Sequence, residues 1–251
     1  MAIVAIEVRP NALYNQGMCA RCNVCFRAEE FCLCKYTKPF DPGIKFIFLM
    51  HPKEYKKQRT GTGRISKNTL IDSEILVGID FTQNQRLLTL LEDPQYYPVL
   101  LYPGKDAWNS KKEGFREEVG NRKILAIIID ATWFCSKKVI EHSPNLLKLP
   151  KITFYGDYRS IFTFKKEPRP ECVSTIETCY YLIKELQEIN LASSADPEPL
   201  MDVFKQMIKD QIRAENERIQ GLRPNSHAND WKYTTERKMP DFLVEKAQSE
   251  K

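Results

Sequence analysis

The sequence predicts an α/β domain built around a largely parallel sheet, and three observations support this prediction. Strand-like, loop-like and helix-like segments alternate along most of the chain, as they do in α/β proteins. A run of six apolar residues at 124–129 is typical of a strand buried on both faces of a parallel sheet. Ser174 and Glu177 have the spacing of a capping box before an apolar run with helical periodicity.

The predicted strands follow in chain order. Residues 43–52 form an apolar strand that ends at His51-Pro52, where the proline disfavours a helical His51, and we expect a loop next. Residues 68–79 pass from helix to strand, and a strand at 98–102 breaks at Pro103-Gly104. The strand at 124–129 and a short one at 151–154 complete the set.

The predicted helices lie mainly in the second half of the chain. Residues 135–150 have a helical pattern that Ser143-Pro144 should interrupt. A second helix follows the capping box at Ser174, and a third opens at Asp196-Pro197 and runs to residue 220. Beyond it the sequence is polar and charged.

The 251 residues divide into a Cys-rich segment over 1–42, an α/β domain over 43–220 and a charged tail over 221–251 anchored by Trp231. No window contains the roughly 18 uninterrupted apolar residues that a membrane span requires. The first residues lack the basic and apolar regions of a signal peptide. We therefore expect a cytoplasmic protein without a membrane partner. A monomer is favoured because no long apolar surface helix is predicted.

Five of the eight cysteines fall between Cys19 and Cys34. Since disulfides are rare in cytosolic proteins, such a cluster favours metal ligands over a set of scattered reduced thiols. Four thiolates complete a tetrahedral Zn²⁺ site, and an all-cysteine site is structural. The preferred ligands are Cys22, Cys25, Cys32 and Cys34, although Cys19 and Cys22 form an equally good Cys-x-x-Cys pair.

Two basic stretches, 51–67 and 158–170, stand out in a chain with a formal net charge of +5. They are rich in glycine, proline and aromatic residues and accompany a predicted metal knuckle, which favours a phosphate-bearing partner over merely solvated loops. The first stretch contains "RTGTGR", whose glycines would let backbone amides approach an anion.

Asp130 and Trp133 come directly after the buried strand at 124–129. Because ligands of open α/β sheets bind at the carboxyl ends of the strands, Asp130 is expected at the mouth of a site with Trp133 over it. The alternatives are that Asp130 is the N-cap of the next helix and that Trp133 is packed in the core. Fingerprints for dinucleotides, P-loops, nucleophile elbows and zinc proteases are absent from the sequence.

The segment "IIDATW" resembles the signature of DTW-domain proteins, and other segments of that family's pattern occur in the same order. These are the paired cysteines at 22/25 and 32/34, "HPKEYKKQRTGTGR", "LLYPG", "YR" and "RPECVSTIE". The likeness spans about residues 19–190. It implies a SPOUT-like α/β fold with a trefoil knot over 43–220. It also implies a tRNA-uridine aminocarboxypropyltransferase that moves the 3-amino-3-carboxypropyl group of S-adenosylmethionine (SAM) to uridine N3 and releases methylthioadenosine.

The resemblance gives the predicted site residues their roles. Asp130 would be the general base for uridine N3–H, and Trp133 would stack on a base or face the sulfonium of SAM. His51 would shape the pocket. The residues expected to orient SAM are Leu101, Tyr102, Pro103, Gly104, Asp130, Ala131, Thr132, Trp133, Ser174, Thr175 and Glu177. Ser174 and Glu177 can equally be a plain helix cap.

The residues expected to bind tRNA are Lys53, Lys56, Lys57, Arg59, Arg64, Arg159, Lys165 and Lys166. Arg64 and Arg159 would alternatively bind the SAM carboxylate. Two other functions stay open on the residues alone. One is a SAM-dependent RNA methyltransferase on the same fold, and the other is a non-enzymatic, zinc-containing RNA-binding module.

Overall fold

The computed structural model describes residues 21–57, 61–164, 169–223 and 235–244. Within them, five strands form one parallel sheet in the order β2-β1-β4-β3-β5. The strands are β1 (Lys45–Met50), β2 (Ser73–Val77), β3 (Tyr96–Leu101), β4 (Lys123–Asp130) and β5 (Lys151–Ile152). The predicted parallel α/β architecture is confirmed.

The two central strands are buried on both faces, as the apolar runs predicted. Every residue of β1 is buried, and β4 is buried at six of its eight positions. Alternate residues point to opposite faces of a strand. Phe46 and Phe48 therefore pack in the core on one face, and Ile47 and Leu49 pack in the core on the other.

Helices cover both faces of the sheet. They are α1 (Pro52–Lys57), α2 (Gly63–Thr69), α3 (Gln85–Glu92), α4 (Phe115–Val119), α5 (Trp133–His142), α6 (Thr175–Glu188), α7 (Glu198–Ile219) and α8 (Asp241–Val244). The buried residues of α2, α6 and α7 pack on the Phe46 face, and those of α3 and α5 pack on the Ile47 face.

The predicted α6 and α7 are confirmed, and so is the break at Ser143-Pro144. There α5 ends at His142 and a short 3-10 helix (Leu146–Lys148) follows. The expected loop after His51 was wrong, because α1 begins at Pro52 and proline is well accepted at the first helical position. The strand predicted at 151–154 is only two residues long.

Helices α3 and α4 were also missed, as was the four-residue α8 within the predicted tail. Helix α3 is capped by Asn84, whose side chain accepts a hydrogen bond from the Leu87 backbone amide at 2.9 Å. Helix α4 has only five residues and begins after a left-handed Gly114. Neither helix has the long apolar periodicity on which sequence-based prediction depends.

The Cys-rich segment lies against α7 and against the start of the tail. Arg223 donates hydrogen bonds to Glu30 at 2.6 and 2.7 Å and to Glu217 of α7 at 3.1 Å. Further along the tail, Met239 and Leu243 pack on the core. Trp231 lies outside the described residues. No helix in the described part of the chain is both long and apolar enough to cross a membrane.

Candidate active site

The carboxyl ends of β1, β3 and β4 meet at one edge of the sheet, because all three strands run in the same direction. Met50 at the end of β1 is in register with Asp130 at the end of β4. The next residue, His51, donates a backbone hydrogen bond to the Asp130 carbonyl at 3.1 Å. Ligands of open parallel sheets bind at this edge, which makes it the candidate site.

Asp130 is the buried carboxylate at this edge, with 7% of the residue exposed. Its Oδ1 accepts a hydrogen bond from Thr175 Oγ1 at 2.7 Å, which joins the end of β4 to the start of α6. Asp130 is not a helix N-cap, because α5 begins at Trp133 with Thr132 as its N-cap residue. That alternative interpretation was wrong.

Gly63 packs against the Asp130 carboxylate, next to its other oxygen, Oδ2. A Cβ on Gly63 would lie 2.7 Å from Asp130 Cγ and closer still to Oδ2, and 3.1 Å from Met50 Cε. The sequence predicted that this glycine belongs to an anion-binding loop, whereas it is the first residue of α2 and contacts a protein carboxylate. The glycine could be noticed in the sequence, but its contact with Asp130 could not be predicted from it.

Trp133 is 46% exposed, so the alternative of a packed core tryptophan was wrong. The following residue, Phe134, is 67% exposed, and Lys138 Nζ lies 4.8 Å from its ring centroid. Phe134 was not among the predicted site residues. Two exposed aromatic rings therefore lie at the start of α5, beside Asp130, where they can stack on a planar ligand.

His51 is buried, and its Nδ1 accepts a hydrogen bond from the Lys53 backbone amide at 3.2 Å. Burial lowers the pKa of His51, and the charges of Lys53 and Lys138 lower it further. The imidazole is therefore neutral at pH 7, and its proton is on Nε2 because Nδ1 is an acceptor. His51 gives the site a neutral hydrogen-bond donor.

The predicted capping box at the start of α6 is present. Glu177 is fully buried, and its Oε2 accepts hydrogen bonds from the Ser174 amide at 2.8 Å and from Ser174 Oγ at 2.6 Å. Its other hydrogen bonds, from Ser160 Oγ and the Ile161 amide, are both 2.7 Å long. Ser174 and Glu177 thus fix the start of α6, and with it Thr175.

The other residues expected to contact SAM surround the same edge. Leu101 and Tyr102 are half-buried as the chain leaves β3, and Pro103 and Gly104 are exposed. Ala131 is half-buried and Thr132 is exposed between β4 and α5. The structure thus brings the three predicted segments to one edge, and their contact with SAM stays a prediction.

The predicted RNA-binding residues differ in their surroundings. Lys53 and Lys56 are exposed on α1. Arg64 packs between two aromatic rings, and Arg159 forms an ion pair with the exposed Asp157. The side chain of Lys57 lies outside what the structure describes, as do Arg59, Lys165 and Lys166.

The four preferred cysteines converge. The Sγ atoms of Cys22, Cys25, Cys32 and Cys34 all lie within 4.8 Å of one another, with Cys22–Cys34 at 3.6 Å and Cys25–Cys32 at 3.8 Å. Tetrahedral zinc with Zn–S bonds of about 2.3 Å places its sulfurs ~3.8 Å apart, so this cluster can hold such an ion. Cys19, the alternative ligand, lies outside the described residues.

Hydrogen bonds also favour a thiolate within this cluster. Backbone hydrogen bonds from Cys25 and Val24 lower the pKa of Cys22 to about 6. A thiolate is the form of cysteine that binds metal. The cysteines that were expected to be core residues, Cys135, Cys172 and Cys179, are all buried.

Comparison with known proteins shows the family of this chain. The model of the DTW domain family matches residues 19–212, which include the cysteine cluster and all the strands. The chain belongs to the DTW domain family. A curated relative is the Drosophila melanogaster tRNA-uridine aminocarboxypropyltransferase 2, which is 26% identical over 177 residues.

That alignment covers 66% of this chain and 66% of the Drosophila protein, slightly less than two thirds of the relative's length. No solved structure matches this DTW domain.

Proposed function

We propose that this DTW domain transfers the 3-amino-3-carboxypropyl group of SAM to N3 of a uridine in tRNA. The observation that carries the proposal is the buried Asp130 carboxylate at the carboxyl end of β4, with Thr175 and Gly63 against it and the exposed Trp133 three residues away. The Drosophila relative is named as a tRNA-uridine aminocarboxypropyltransferase, which supports tRNA uridine as the substrate and aminocarboxypropyl as the transferred group here.

In the proposed reaction Asp130 takes the proton of uridine N3–H. N3 then forms a bond to the terminal side-chain carbon of the aminocarboxypropyl group, the bond from that carbon to sulfur breaks, and neutral methylthioadenosine leaves. SAM supplies the activated carbon and the leaving group. The contact with Gly63 and the hydrogen bond from Thr175 hold the carboxylate in one orientation, as proton transfer by a positioned base requires.

The neighbouring groups of the site suggest how the nucleobase is held. The exposed ring of Trp133 offers a stacking surface for uracil or adenine. The neutral His51 can donate from Nε2 to a carbonyl oxygen without adding a positive charge beside the sulfonium. The segments 101–104, 130–133 and 174–175 would orient SAM so that its aminocarboxypropyl carbon, rather than its methyl, faces N3.

We further propose that the ion held by the four cysteines is a structural Zn²⁺, because an all-thiolate set leaves no position for substrate. The parallel sheet with crossover connections also supports the proposal that the fold is of the SPOUT class with a trefoil knot.

By-product analysis tests the proposed reaction against its rival. Incubation with SAM and unmodified tRNA should produce methylthioadenosine in a tRNA-dependent manner. S-adenosylhomocysteine in its place would identify a methyltransferase and overturn the proposed group transfer. If tRNA binds but neither by-product appears, the chain is an RNA-binding module and not an enzyme.

A further inference from the structure

Phe26, Tyr55 and Arg64 form a stack between the Cys-rich segment and the candidate site. Arg64 Cζ lies 4.2 Å from the centroid of each ring, and the guanidinium donates a hydrogen bond to the Tyr55 carbonyl at 2.6 Å. The two ring centroids are 6.5 Å apart and their planes are inclined by 51°. One cation therefore fixes two aromatic rings that belong to separate segments of the chain.

The rings are fixed but not buried. Phe26 is 46% exposed and Tyr55 is 42% exposed, so much of each side chain faces solvent although Arg64 lies against both rings. Phe26 also has a φ of 59°, a left-handed conformation that is uncommon for a bulky residue. The chain thus keeps an aromatic side chain at a position where glycine would be favoured, which suggests that the ring itself has a role.

The residues around the stack are positively charged, and two of its neighbours in the chain contact Asp130. Lys53 and Lys56 are exposed on α1, the helix that carries Tyr55. Helix α1 directly follows His51, whose amide binds the Asp130 carbonyl. Arg64 directly follows Gly63, which contacts the Asp130 carboxylate. Two short links therefore connect the stack to Asp130, the proposed general base: one through α1 and His51, and the other through Gly63 at the start of α2.

We propose that Phe26 and Tyr55 form a stacking platform for unpaired bases of the RNA substrate. The inference rests on the proposed function only in taking RNA as the partner. Every base offers a flat face for stacking, and the phosphates match the cations around the rings. In a duplex the base faces are hidden, so the platform requires a single-stranded segment or a loop.

The test compares ring-removing with ring-retaining variants at the same positions. Tyr55→Leu and Phe26→Leu lose the planar face but stay apolar, whereas Tyr55→Phe and Phe26→Tyr keep it. Binding is measured without SAM by fluorescence anisotropy, with labelled oligouridine and with an RNA duplex of the same length. We expect each Leu variant to raise the Kd for oligouridine by roughly 5- to 100-fold, and each ring-retaining variant to change it less than about two-fold.

Tyr36 provides a matched control. It is also an exposed tyrosine with a cation above its ring, Lys35 Nζ at 5.0 Å from the centroid, but it lines a groove against α7 residues such as Gln206 and Lys209. Tyr36→Leu should leave the Kd for oligouridine unchanged. Thermal unfolding of every variant verifies that each one is folded.

The possible outcomes separate this inference from the proposed transferase activity. If wild-type protein modifies tRNA and the Leu variants bind oligouridine normally, the platform is wrong and the transferase stands. If the Leu variants lose oligouridine binding while no preparation modifies tRNA, the platform stands alone. An equal loss on the duplex, or slower turnover with unchanged Kd, would also overturn the platform.

Discussion

The two edges of the sheet use charge in different ways. At the amino-terminal edge, Lys45 Nζ lies 2.8 Å from carboxylate oxygens of both Asp72 and Glu74. Lys123 Nζ lies 2.8 Å from the other oxygen of Asp72, and Arg86 pairs with Glu74 at 2.6 Å. This ion-pair network joins the starts of β1, β2 and β4.

At the carboxyl edge, the Asp130 side chain accepts a hydrogen bond from the Thr175 hydroxyl and lies against Gly63, and the neighbouring His51 is neutral. A charge matched by opposite charges stabilises the fold, whereas a carboxylate held in place beside exposed aromatic rings is suited to chemistry. The comparison predicts that the amino-terminal edge controls stability and that the carboxyl edge controls activity.

The largest expected effect is that of Asp130→Asn. The amide keeps the shape of the side chain and can accept the hydrogen bond from Thr175, but it cannot take a proton. The single-turnover rate of transfer to tRNA should fall by about 10²- to 10⁴-fold, as for loss of a general base. Urea unfolding should show a change of only ~1 kcal/mol in the free energy of unfolding. A rate within ten-fold of wild type would remove Asp130 from the proposed role.

Gly63→Ala should displace the Asp130 carboxylate without removing it. Gly→Ala in an open helical position stabilises a protein by about 0.4–1 kcal/mol, but here the new methyl would lie 2.7 Å from Asp130 Cγ. We expect a destabilisation of about 1–3 kcal/mol and a transfer rate lowered by roughly 10- to 100-fold.

Lys67→Ala is the control for this variant, since Lys67 is exposed on the same helix. Urea unfolding and single-turnover kinetics of both variants provide the measurement. A stabilised, fully active Gly63→Ala protein would contradict the described contact.

Asp72→Asn should break the amino-terminal edge and leave the chemistry intact. It removes one of two acidic partners from Lys45, whose side chain is only 8% exposed, and weakens the link to Lys123. The free energy of unfolding should fall by about 1–2 kcal/mol, while the transfer rate per folded molecule stays at the wild-type value. Reduced transfer by the fully folded variant would show that the two edges are not independent.

The smallest expected effect is a change in acid stability. The hydrogen bonds from Arg86 lower the pKa of Glu74 from its ordinary value of 4.5 to about 2. Because the folded pKa lies below the unfolded one, this contribution is fully present above pH 4.5 and is lost as pH falls towards about 2.

Thermal midpoints measured across that pH range should therefore fall less steeply for Glu74→Gln than for wild type. Glu113→Gln, a change at an exposed residue of the loop before α4, is the control and should follow the wild-type curve. Parallel curves for Glu74→Gln and wild type would show that this ion pair adds nothing.

The features that could be predicted from the sequence are those encoded locally. The apolar run at 124–129 gives a buried strand, the spacing of Ser174 and Glu177 gives a capping box, and the spacing of the cysteines gives the convergent cluster. Each depends on residues close together in the chain, so pattern and spacing suffice.

The features that were missed depend on contacts between distant segments. Thr175 binds Asp130 from 45 residues away, and the approach of Gly63 to the same carboxylate depends on how α2 packs over the sheet. Arg64 was expected to bind phosphate or the SAM carboxylate because it lies in a basic stretch, but its position between Phe26 and Tyr55 follows only from the fold. Hydrophobic periodicity carries no information about such partners.

Nucleoside mass spectrometry would show whether the protein transfers an aminocarboxypropyl group to tRNA and whether the transfer needs Asp130. Unmodified tRNA is incubated with the protein and with SAM labelled in its aminocarboxypropyl carbons, then digested and weighed. We expect a uridine heavier by the labelled aminocarboxypropyl group with wild type and with Asp72→Asn, and none with Asp130→Asn. Unmodified or methylated nucleosides with the wild-type protein, or full modification by Asp130→Asn, would contradict this expectation.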